Sequence, residues 1–166
     1  MGTQRLTGAS ADQPISELSV GDLTRLLVLL EEAQRTRKMT APELEALCYL
    51  VATERDQSGA IKWPRLGFAY RFQFSPTPGS DELYDDLLQL EHASLVRRRS
   101  PVEITQRGQD WLKQPRYDEA VAEIRREARA AAEAYASKPN LVELSVERGA
   151  AQIASTGTRK QEPSSG

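Results

Sequence analysis

Leu23, Leu26, Leu27, Leu30 and Ala33 follow the three-and-four spacing that gathers side chains on one face of an α-helix. The pattern predicts a helix from about Gly21–Asp22 to Arg37. A second helix follows "RKMT", with Leu44, Leu47, Cys48 and Val51 as its apolar face. Thr40 and Glu43 form a Thr-x-x-Glu capping box at its start, and Pro42 is tolerated in a first turn whose amides have no helical partner. "RDQSGA" breaks it. The apolar period then drops to two: Phe68, Tyr70, Phe72 and Phe74 alternate with Ala69, Arg71 and Gln73, as in a half-buried strand or an extended arm. Pro76, Pro78 and Gly79 stop that run.

Ser80 is placed to cap a third helix, with Asp81 and Glu82 against its positive end. On a helical wheel Leu83, Tyr84, Leu87, Leu88 and Leu90 fill one apolar sector, and Glu82, Asp85, Asp86 and Gln89 stand opposite. Glu91 falls inside the apolar sector without an evident reason. Leu95–Val96 and Val102–Ile104 read as two short strands around a turn at Ser100–Pro101. Thr105 then caps a short helix through Trp111 and Leu112. A further helix spans about Tyr117 to Ala136, and the alternation of Val142, Leu144 and Val146 leaves strand and helix open. Residues 1–20 and 155–166, rich in Gly, Ser, Thr and Gln, are expected to be a disordered leader and tail. Between them the reading places a domain at 21–113, a C-terminal helix at 114–137 and a short element at 138–154.

Composition narrows the chemistry. The 166 residues carry a formal net charge of −2, so no global bias points to nucleic acid or to a membrane surface. Cys48 is the only cysteine and His92 the only histidine, which excludes an internal disulfide, a thiolate metal cluster and a metal site built on several histidines. No P-loop, dinucleotide fingerprint or EF-hand spacing occurs. Asp81 and Asp85, one helical turn apart, are the nearest approach to paired carboxylates, without the histidines or glycine loop that would support a metal or acid–base role. The expectation is a protein with no catalytic residues, metal or cofactor. No apolar run nears the roughly 20 residues that span a bilayer, and the start lacks a signal-peptide pattern, so a cytoplasmic location is expected.

Several residues also carry a family resemblance. "CYL" ends an apolar helix, "YRFQF" follows a loop, and "TPGS" opens an acidic helix with Leu83, Leu87 and Leu90. "ASLV" then leads to the turn, and "ITQRG" closes the wing. Over about Leu23 to Leu112 this resembles the bacterial winged-helix proteins of the YwgA type, which are similar to the SocA-like (Panacea) antitoxin domain. Ser94 stands where that family has a glycine, and its tyrosine is missing from the turn before the third helix. The resemblance implies a mostly α fold with a small β-wing (α+β), a winged helix-turn-helix domain with an added C-terminal helix. It implies regulatory or partner-binding work without catalysis.

Three sets of residues are candidates for contact. Arg97, Arg98 and Arg99 on the wing, with Arg107 after it and Arg71, Arg65 and Lys62 as extensions, would suit DNA phosphates; a charged strand edge that resists aggregation is the alternative. Glu82, Asp85, Asp86 and Gln89 would repel DNA and suit a protein partner, or else form plain solvated surface. Tyr117, Val121, Ile124, Ala128, Ala131 and Tyr135 repeat at four and three, the seam of a homodimer or of internal packing. The leading expectation is DNA binding through the basic wing as a dimer. Its rival is a protein-binding adaptor or antitoxin-like partner that uses the acidic helix and does not touch DNA.

Overall fold

The computed structural model describes residues 21–114 and 118–165, with side chains described no further than Ala154. The expected leader at 1–20 and Tyr117 lie outside the described residues. Six α-helices run through the described residues: α1 (Asp22–Gln34), α2 (Ala41–Thr53), α3 (Asp81–His92), α4 (Gln106–Leu112), α5 (Asp118–Tyr135) and α6 (Leu141–Ser165). Two two-stranded antiparallel sheets accompany them: β1 (Gln73–Phe74) with β2 (Pro78–Gly79), and β3 (Val96–Arg97) with β4 (Glu103–Ile104). The chain is therefore mostly helical with a small β component. No described helix is long and apolar enough to cross a membrane.

α1 is the centre of the core. It packs against α3, α4, α5 and β4, so the single apolar stripe expected from its spacing is exceeded: Val28, Leu29, Glu31 and Glu32 are buried beside Leu26, Leu27 and Leu30. The buried acids are paired across the packing seam. Arg125 of α5 donates to Glu31 and, at 2.6 Å, to Glu32, and Arg129 reaches Glu32 at 3.2 Å. Removing one side of such a buried set would leave a charge without a partner, at about 3–5 kcal/mol.

α2 starts as its sequence predicts, with Thr40 accepting from the Glu43 amide and Glu43 accepting from the Thr40 amide. Pairing with Arg37 holds the Glu43 carboxyl below its ordinary range, against the opposing effect of burial. α6 lies along α2, with Leu141, Ser145 and Gly149 on its buried face and Gly149 close against the Phe74 ring. Arg148 donates to the Leu50 carbonyl at 2.9 Å, which also accepts from the Glu54 amide at 3.0 Å at the end of α2. The open question at Val142–Val146 thus resolves as helix, and that helix carries on into the segment whose composition predicted a tail.

Residues 67–72 run extended, and the expected alternation holds. Phe68 and Tyr70 are buried and Phe72 is half-buried, while Ala69, Arg71 and Gln73 are exposed. Phe68 and Tyr70 stack at 5.0 Å, and Tyr49 of α2 sits edge-on to Phe72 and Phe74. Only two residues of this arm find a strand partner, so most of its amides need another acceptor. Carboxylates from two helices supply acceptors within the arm, at Ala69 and Arg71, and carboxylates from two more hold amides that flank it, at Arg65 and Ser80. Glu127 of α5 accepts from the Arg65 amide at 2.7 Å, Asp22 of α1 from Ala69 at 3.2 Å, and Glu82 of α3 from Arg71 at 2.9 Å. Glu45 of α2 accepts from the Ser80 amide, and burial still raises its pKa.

α3 ends in a Schellman motif. The Leu95 amide donates to the Leu90 carbonyl and the Ser94 amide to Glu91, both at 2.9 Å, with Ser94 at φ 63°. The chain then turns into β3 and returns through β4, with Val96 opposite Ile104 and Arg97 opposite Glu103. Met39, between α1 and α2, bridges Val102 on the approach to β4.

Candidate functional site

The acids of α3 are divided between the inside of the molecule and its surface. Leu83, Leu87 and Leu90 are buried. Asp86 follows Leu83 by three residues and precedes Leu90 by four, which puts it on their face. It is 1% exposed and accepts from the Tyr70 hydroxyl at 2.7 Å. The expectation that Asp86 lies on a solvent-facing partner surface is therefore corrected. Its carboxylate anchors the arm from within. Burial, with the Asp86 charge next, drives the Tyr70 hydroxyl pKa far up, so it stays protonated as the donor.

Glu82 is also engaged. It accepts from the Arg71 amide, from the Arg71 guanidinium at 3.0 Å, and from the Ser80 hydroxyl at 3.0 Å. These bonds pull its pKa from 4.5 to about 2. Gln89 is half-buried, and its Oε1 is buried without a hydrogen-bond partner. Of the four residues proposed for a partner, only Asp85 is exposed and without an ion pair among the described residues.

The outward stripe of α3 is made of Asp81, Tyr84, Asp85, Leu88 and His92. Tyr84 is 51% exposed and Leu88 half-buried. Sequence reasoning put both in the core sector and so missed them as surface. The signal was present: Leu83, Leu87 and Leu90 alone complete a four-and-three stripe, and a core centred on them faces away from Tyr84 and Leu88. Glu91 has its explanation here too. It pairs with Arg98 at 3.3 Å, and the Arg98 guanidinium lies 5.0 Å above the Tyr84 ring. The β3–β4 hairpin is thereby held against the helix.

The basic residues do not form one patch. Arg97 pairs with Glu103 at 2.8 Å, Arg98 with Glu91, and Arg71 with Glu82. Lys62 pairs with Glu54 at the end of α2 at 3.7 Å, and Arg65 with Glu123 of α5 at 3.6 Å, neither with the β3–β4 hairpin. Arg99 and Arg107 are exposed, with no ion pair among the described residues. Surface pairs such as these contribute little to stability. They do lower the positive potential that the seven cations would otherwise offer.

The seam of α5 is not available to a second copy. Val121, Ile124, Ala128, Ala131 and Tyr135 are each 8% exposed or less within one chain, because the helix lies on α1. The homodimer expectation for these residues is corrected: the helix is covered by α1 of the same chain, and Tyr135 by Trp63 and Arg148.

Cys48 is fully buried, and burial pushes its thiol pKa far above the ordinary range, so it behaves as a small core residue. His92 is exposed at the end of α3. No cluster of three or more His, Cys, Asp or Glu suited to a metal occurs among the described residues. No family model, curated protein or solved structure matches this chain.

Proposed function

We propose that the protein is a non-catalytic regulatory module of winged-helix topology that docks a protein partner through the outward stripe of α3 and its flanking wing. The Met39–Val102 bridge supports the topology, since it adds a third strand position between α1 and α2 to the edge of the β3–β4 wing. The observation that carries the docking reading is the stripe itself. It presents two carboxylates, a half-exposed tyrosine and a half-buried leucine, and α3 contains no Lys or Arg. A helix that enters a DNA groove lies among phosphates, which repel such a face. Tyrosine and arginine held rigidly at a surface are the side chains that dominate protein interfaces.

Arg99 and Arg107 support a second reading, in which the wing grips phosphates while α3 stays clear of the groove. A photo-crosslinking residue at Tyr84 and another at Arg107, compared in cells, distinguish the two. The docking reading expects protein adducts at position 84 and none at 107. Nucleic-acid adducts at 107 alone would replace it. In that case Arg99→Ser with Arg107→Ser should flatten the salt dependence of DNA binding by about one unit of slope per lost phosphate contact.

A further inference from the structure

The chemistry of the occupant follows from which charges on this face are already neutralised. Arg97, Arg98 and Arg71 have their carboxylates in Glu103, Glu91 and Glu82. Asp81 and Asp85 have no cation among the described residues. Between and beside them, one turn apart, stand Tyr84 and Leu88. The Tyr84 ring is already fixed by the Arg98 guanidinium 5.0 Å above it, so little ordering is left to be done on binding.

We infer that the outward face of α3 takes an amphipathic helix of a partner protein, its apolar ridge on Tyr84 and Leu88 and its flanking lysines or arginines facing Asp81 and Asp85. This rests on the docking reading above and names the partner's chemistry. A carboxylate that loses water in an interface needs an opposite charge, and an acidic partner would meet repulsion instead. An apolar pair at i and i+4 matches the i, i+3, i+4 and i+7 anchors by which helices dock. At 1.5 Å per residue, the twelve residues of α3 extend about 18 Å, the length of about three turns of a partner helix. A second copy of this chain is a poorer occupant. In a symmetric pairing of two α3 faces, the helix has no Lys or Arg to offer the carboxylates of its own image.

The test uses the full chain and two helical peptides with the same leucine ridge, one flanked by lysines and its twin by glutamates. Fluorescence anisotropy should show the lysine peptide binding at least ten-fold more tightly than its twin, with the preference weakening in salt. Asp81→Lys combined with Asp85→Lys should reverse the preference at a small cost in thermal unfolding, since both side chains are exposed but Asp81 gives up its place at the positive end of the helix. Equal binding of the two peptides, lost on Tyr84→Ser, keeps the docking face and overturns the charge inference. Binding of neither peptide overturns the face as a helix dock. A concentration-dependent dimer in sedimentation that Tyr84→Ser abolishes makes a second copy the occupant, and also overturns the inference.

Discussion

The Tyr70 hydroxyl donates to the Asp86 carboxylate at 2.7 Å, joining the extended arm to the inner face of α3 where Asp86 is 1% exposed. A buried carboxylate is costly without donors, and a buried hydroxyl is costly without an acceptor. Each residue therefore makes the other tolerable. Tyr70→Phe and Asp86→Ala should each destabilise the protein by about 1–3 kcal/mol in urea unfolding. Because they share this contact, the double variant should lose less than the sum of the single losses. Additive losses would show that the pair is not coupled. Tyr84→Phe, on the outer face of the same helix, should change stability by no more than about 0.5 kcal/mol.

Glu82 should give the arm a pH dependence. Its folded-state pKa of about 2 lies below the ordinary value of 4.5. The stabilisation it contributes is complete above about pH 4.5 and is lost as the pH falls through about 2. The urea midpoint of the parent protein should decline across that window, and Glu82→Gln should decline less steeply there. Identical slopes would mean that the Arg71 contacts do not survive in solution.

Two backbone sites beside the β3–β4 hairpin make opposite demands on glycine. Ser94 holds φ 63°, a left-handed conformation that costs a side-chain-bearing residue about 1–2 kcal/mol relative to glycine. Ser94→Gly should raise stability by up to about 1 kcal/mol in thermal or denaturant unfolding. Gly108 has no such strain but no room: an added Cβ would meet the Leu95 carbonyl oxygen at 2.3 Å. Gly108→Ala should therefore destabilise by about 1–3 kcal/mol, although alanine is the better helix former. A stabilised Gly108→Ala protein would show that α4 does not lie against the Leu95 backbone just before β3.

Val121 tests whether α5 packs internally. It is 5% exposed against α1, in the seam that carries the Glu31, Glu32 and Arg125 set. Val121→Glu should destabilise the protein by more than about 3 kcal/mol in thermal unfolding, since it puts a carboxylate in a buried apolar position. Ile153→Glu, at a position 65% exposed on α6, should leave the melt unchanged. A folded, monomeric Val121→Glu protein would return the seam to a dimer interface.

The local order of the chain was legible from its residues. The Thr40–Glu43 capping box, the Ser80 and Thr105 caps, the alternating arm and the strand pair around Ser100–Pro101 all depend on neighbours within a few positions, and all appear where the spacing puts them. What a charged side chain does was not legible in the same way. Asp86 and Glu82 are acids on one helix, as Asp81 and Asp85 are, and periodicity alone cannot show that the arm brings Tyr70 to one and the Arg71 amide to another. The same holds for Arg97 and Arg98, whose carboxylates come from β4 and α3, and for the α5 seam, which suits a second copy as well as α1 until α1 is found lying on it. Apolar spacing sets which face turns inward. The charge of a surface depends on which opposite charges folding places beside it, and only the tertiary structure decides that.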